Sequence, residues 1–154
     1  MVSKKLQTYS KNSVIMDILI TYGKEEFDFN LSTELVIDEN RINHEAQVQP
    51  SSYAFLNMLY KKLIRASKEA EKKVNKKEAE LFIKYKKQTD STTGRKNANE
   101  TCRAMILVNQ AYIMLQEEFI EAEHQASVIE VCVKAFEQRV NLIQTLSANL
   151  RREK

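Results

Sequence analysis

The sequence predicts an all-α protein: a long helical hairpin of two antiparallel helices, preceded by short N-terminal helices and assembling into a homo-oligomer. Three observations carry this. The 154 residues hold only two glycines and one proline (Gly23, Gly94 and Pro50), whereas a β-sandwich or barrel needs turn residues about every 8–12 positions. Apolar residues after Pro50 recur at helical spacing. The C-terminal third keeps an unbroken three-and-four spacing of apolar residues.

Taken in order, residues 1–23 read as an N-terminal extension and residues 24–154 as one helical domain. Within the extension, residues 5–22 fit an amphipathic helix and a mobile arm equally. The start is basic, but Asp17 interrupts the short apolar stretch and no small-residue cleavage site follows, which argues against a secretion signal. Asp38 is placed to cap a short helix over residues 39–48. Pro50 suits the first turn of the next helix, where its missing N–H would be unpaired anyway.

Leu56, Leu59, Leu63, Ala66, Ala70, Val74, Leu81 and Tyr85 then form a helical stripe. That helix is expected to end near Gln88, after roughly 38 residues and about 57 Å. The TDSTTG stretch beyond it offers turn-forming side chains and a glycine for positive φ. Asn97 or Asn99 caps a last helix running to the C-terminus. Tyr112, Phe119, Ala126, Val133, Val140 and Ser147 interleave there with Leu115, Ala122, Ile129, Phe136, Ile143 and Leu150. This is the seam of a coiled coil or helical hairpin, and its length calls for other copies of the chain. Ile129, Val133, Phe136, Val140, Ile143 and Leu150 are the expected self-association residues.

Composition fits one helix-rich domain, with 43% hydrophobic and 29% charged residues. No apolar run approaches the roughly 18 residues of a membrane span. Cys102 and Cys132 are the only cysteines, consistent with idle thiols in the cytoplasm. The net charge of +3 is unevenly spread. Residues 1–60 carry 5 basic against 8 acidic side chains (−3), residues 61–96 carry 13 against 5 (+8), and residues 97–154 carry 6 against 8 (−2). One basic segment lies between two mildly acidic flanks.

Catalytic chemistry finds little support. His44 and His124 are the only histidines, and neither has a matching nucleophile in a motif. Glu121 and His124 have the E-x-x-H spacing of di-iron bundles, but the second such pair is missing, since Arg41 stands three residues before His44. Cys102 and Cys132 fall on one expected helix, about 45 Å apart, too far to share zinc or a disulfide. The TTGRK stretch lacks the strand, the second glycine and the Ser/Thr of a phosphate-binding loop. No enzyme, cofactor or metal is expected.

The basic segment is different. Lys61, Lys62, Arg65, Lys68, Lys72, Lys73, Lys76, Lys77, Lys84, Lys86 and Lys87 outnumber Glu69, Glu71, Glu78 and Glu80, and the excess continues into Arg95 and Lys96. Phe82 and Tyr85 offer rings for stacking on unpaired bases. Three readings are open on these residues: a nucleic-acid surface, a solvated helix face held by i,i+4 pairs, and a patch for an acidic protein partner.

Other residues carry a family resemblance. Glu34, Leu35, Ile37 and Asp38 form an E-L-x-I-D segment; Glu45 and Ala46 follow, and Tyr53 opens the long helix. Lys134, Ala135, Phe136 and Arg139 form a K-A-F-x-x-R element. Over roughly residues 31–150 the chain is similar to small bacteriophage proteins related to the UvsY recombination mediators. The resemblance implies a non-enzymatic single-stranded-DNA-binding protein that forms a ring-like homo-oligomer. It would help a RecA-like recombinase replace single-strand-binding protein, in the host cytoplasm. The family's basic DNA-contacting positions fall late in the long helix and just beyond. Here the expected DNA-binding set is Lys72, Lys73, Lys76, Lys77, Lys84, Tyr85, Lys86, Lys87, Arg95 and Lys96, with Glu78 and Glu80 interrupting the basic face. The competing class is a structural coiled-coil or phage assembly protein whose basic patch binds an acidic partner.

Overall fold

The structure is a computed structural model describing residues 17–22, 25–89, 91 and 93–152. Its elements are β1 (Asp17–Tyr22), β2 (Glu25–Asn30), α1 (Leu31–Glu34), a 3₁₀ turn (Glu39–Arg41), α2 (Ile42–Lys87), α3 (Asn99–Leu107) and α4 (Gln110–Arg152). The fold is mostly helical, with segments of the two long helices α2 and α4 packed together in each of two compact units. The residues up to Asn57 with those from Glu130 form one unit, and Met58–Ile129 form the other. Among the described residues no helix is long and apolar enough to cross a membrane.

The first unit departs from an all-α fold. DILITY and EEFDFN alternate with a period of two, which suits paired strands and not a 3.6-residue helix. They pair antiparallel, Ile18 opposite Phe29 and Ile20 opposite Phe27. Phe27 and Phe29 stack with centroids 6.4 Å apart, and Phe55 of α2 lies tilted against both, at 6.0 and 6.1 Å. A helix or arm over residues 5–22 is therefore corrected for 17–22, which are strand; residues 5–16 lie outside the described residues. β1 and β2 pair across residue 23, where the sequence places the end of the N-terminal extension.

Two caps behave as short polar side chains do at helix starts. Asn30 Oδ1 accepts from the Thr33 N–H at 3.1 Å, while Asn30 Nδ2 donates to Asp17 Oδ1 at 2.7 Å. Asp38 Oδ1 accepts from the Asn40 N–H at 3.0 Å. The helix expected over 39–48 and the one expected from Pro50 are one element, because α2 runs through Pro50. Proline denies the Ala46 carbonyl its usual donor. Tertiary bonds hold this turn: the buried Gln49 donates Nε2 to the Phe136 carbonyl at 2.9 Å and accepts from Arg139 Nη1.

Arg139 is the centre of this unit. Only 8% exposed, it donates Nη2 to the Val36 carbonyl at 2.9 Å and to Glu45 Oε2 at 2.5 Å. Its Nε is buried without a partner. Tyr53 Oη donates to Glu137 Oε1 at 2.6 Å, a second α2–α4 tie. Leu31, Leu56, Cys132, Val133, Phe136 and Ile143 are buried in the same unit.

In the second unit Val74, Leu81, Tyr85, Cys102, Ile106 and Tyr112 form the core, with Phe82, Met105, Leu115 and Phe119 packed on it. The single C-terminal helix expected from the sequence is two helices. Asn109 breaks it: its Oδ1 accepts from the Tyr112 N–H at 3.2 Å, capping α4, and its Nδ2 donates to Tyr85 Oη at 3.0 Å. Neither Asn97 nor Asn99 caps α3, whose N-cap is Ala98 without a side-chain bond. Cys102 and Cys132 consequently lie on different helices, both buried and neither in a disulfide, and the spacing expected from one helix does not apply. Burial pushes the Cys132 thiol up, away from the nucleophilic thiolate.

The seam expected to bind other copies is largely consumed inside the chain. Ile129, Val133, Phe136 and Ile143 are buried and Val140 is half-buried; Leu150 alone of the six is exposed. The apolar residues left outside on α4 include Ile120, Val131 and Leu142, which belong to neither heptad series.

Candidate nucleic-acid interface

The basic residues lie in the second unit, on α2 and the loop that follows. α2 presents Val74, Leu81 and Tyr85 to the core, so side chains offset from these by half a turn are carried outward. Lys72, Lys73, Lys76, Lys84 and Lys87 are exposed. Lys77, half-buried, stands between the core positions Val74 and Leu81. Lys84, Lys86 and Lys87 occupy the last turn, where cations also offset the partial negative charge of the helix C-terminus.

Two of the expected DNA-binding residues have structural work. Tyr85 is buried, its ring in the core, its hydroxyl accepting from Asn109 and its carbonyl accepting from Asn97 Nδ2 at 3.0 Å. It cannot stack on a base, and that expectation is corrected: an aromatic between lysines lies at the same helical phase as Val74 and Leu81. Lys86 donates Nζ to the Asn97 carbonyl at 2.8 Å, closing the loop onto the helix end.

The loop returns along α2. The Asn97 N–H donates to the Gln88 carbonyl at 3.2 Å, and Thr89 pairs with Lys96 in an antiparallel bridge. Gly94 takes φ +65°, the left-handed conformation that its lack of Cβ allows. Arg95 and Lys96 are exposed, and the Thr89–Lys96 bridge brings Lys96 back to the end of α2. The buried Asn97, which the sequence offered only as a helix cap, is the residue that fixes this loop.

The acidic interruptions separate. Burial raises the Tyr112 hydroxyl above its ordinary value, and the nearby Glu78 carboxylate adds to it, although Glu78 is itself exposed. Glu80 stays outward, 4.0 Å from Lys76 Nζ, and Glu69 lies 2.9 Å from Arg65 Nε. Both pairs are exposed and therefore weak, worth about 0.3–0.5 kcal/mol each.

The residues of the family resemblance meet elsewhere, in the first unit, where Glu45 and Arg139 pair and Tyr53 bonds Glu137 beside Phe136. No family model, curated protein or solved structure matches the chain.

Proposed function

We propose that this chain is a non-enzymatic single-stranded-DNA-binding mediator that helps a RecA-like recombinase displace single-strand-binding protein, working as a ring-like homo-oligomer in the host cytoplasm. One observation carries the reading: in the second unit a helix and its returning loop hold a +8 excess, with Lys72, Lys73, Lys76, Lys84, Lys87, Arg95 and Lys96 all exposed. Such a surface neutralises phosphates and releases counterions without reading sequence. With Tyr85 in the core, phosphate contact outweighs stacking in the mechanism. Exposed Val131 and Leu142 supply apolar contact for assembly in place of the buried seam.

The same exposed residues favour one other reading, a helical assembly protein whose basic patch binds an acidic partner. A mobility shift with labelled oligo-dT across a salt series separates the two. Addition of single-strand-binding protein and recombinase to the same reaction then tests mediation, read as faster recombinase filament assembly on the coated strand.

A further inference from the structure

α2 carries an 11-residue repeat in both its core and its charge. Leu59, Ala70 and Leu81 are buried at 11-residue steps, as are Leu63, Val74 and Tyr85. Lys62, Lys73 and Lys84 repeat at the same interval, and so do Arg65, Lys76 and Lys87. Eleven residues make close to three helical turns, about 16 Å of rise. The cation pairs therefore return to one phase relative to the buried face and do not spiral around the helix. All six are exposed.

Acidic residues share the register. Glu69 and Glu80 are also 11 apart, and each pairs with the cation four residues before it, Arg65 and Lys76. The next position in the series is Ser91, beyond the helix. The rung of Lys84 and Lys87 thus has no glutamate four residues after its second cation, and the returning loop adds Lys96 beside it.

We propose that a single DNA strand lies along the axis of α2, its phosphates held at three rungs (Lys62 with Arg65, Lys73 with Lys76, Lys84 with Lys87), and that Glu69 and Glu80 compete with those phosphates for two of the cations. This rests on the single-stranded-DNA reading above and gives it a geometry. The glutamates hold the affinity below what six cations would give, which suits a protein that must hand its strand on. The loop end of α2 grips most tightly.

The test compares two variants with the same change in net charge. Glu69→Gln with Glu80→Gln removes the competitors; Glu71→Gln with Glu123→Gln removes exposed acids that are off the stripe. The first variant is expected to bind oligo-dT about fivefold more tightly at moderate salt, with the log K against log[salt] slope steeper by about 1.4 as two more phosphates are neutralised. The second is expected to stay within twofold of the parent. Equal tightening in both variants overturns the stripe, because net charge alone then explains the effect, while strand binding itself stands. A parent chain that ignores oligo-dT at low salt but retains poly-glutamate overturns both the stripe and the reading beneath it.

Discussion

Arg139 and Glu45 form a largely buried ion pair, Nη2 to Oε2 2.5 Å, that joins α4 to the first turn of α2. The same guanidinium holds the Val36 carbonyl and the Gln49 side chain. One side chain thereby ties the N-terminal segment, α2 and α4 of the first unit. Arg139→Met is expected to cost about 3 kcal/mol, since Glu45 and a backbone carbonyl lose their donor together. Arg139→Lys recovers only part of it, because an ammonium lacks the planar fork that reaches several acceptors. The urea midpoint of unfolding measures both.

The pair also sets a pH dependence. The hydrogen bond from Arg139 holds the Glu45 carboxyl below its ordinary value of 4.5, against an opposing push from burial; the Arg139 charge, a bond from the Asp38 backbone and His44 add to the lowering. A lowered folded value means that the stabilisation is complete above the ordinary carboxylate range and is lost as pH falls through that range to the folded value. Glu45→Gln is thus expected to be less stable than the parent at pH 7, with the gap closing below about pH 4. A gap that is constant with pH contradicts this role.

Asn109 both caps α4 and bonds the Tyr85 hydroxyl. Asn109→Ala is expected to cost about 1–2 kcal/mol and Tyr85→Phe about 1 kcal/mol. The double variant should cost less than the sum, as the shared bond is lost only once. Tyr85→Phe should leave oligo-dT affinity unchanged, because the ring is in the core. A drop in affinity without loss of stability would restore Tyr85 to the binding surface.

For assembly, Val131→Asp with Leu142→Asp is expected to lower the oligomer mass in sedimentation while circular dichroism stays helical, because both side chains are exposed. Phe136→Asp should instead unfold the subunit, since it places a charge in the core. An unchanged mass in the folded Val131/Leu142 variant contradicts the proposed surface.

The long helices were legible from period and from scarce Gly and Pro: α2 ends at Lys87, one residue from the expected end, and Gly94 takes the expected positive φ. The β-hairpin was missed although DILITY and EEFDFN alternate around Gly23 and Lys24, because residues 5–22 fit an amphipathic helix and a mobile arm equally. The proline in α2 and the break at Asn109 were missed because tertiary bonds decide them. Gln49 bonds an α4 carbonyl, and Asn109 bonds a tyrosine 24 residues away. The basic surface was visible as a charge excess. Which members are committed elsewhere was not, since Lys86 and Tyr85 look like their neighbours until the loop folds back through Asn97.

If the cations of α2 hold a single strand, the salt dependence of oligo-dT binding must register their removal. Each neutralised phosphate on a single strand adds about −0.7 to the slope of log K against log[salt]. Replacing Lys73, Lys76, Lys84 and Lys87 with Ala should keep the helix, since alanine is a strong helix former. Binding should weaken together with a slope flatter by about 2 to 3, as up to four phosphate contacts are removed. A folded quadruple variant that binds oligo-dT with the parent affinity and the parent slope would contradict strand binding by these cations.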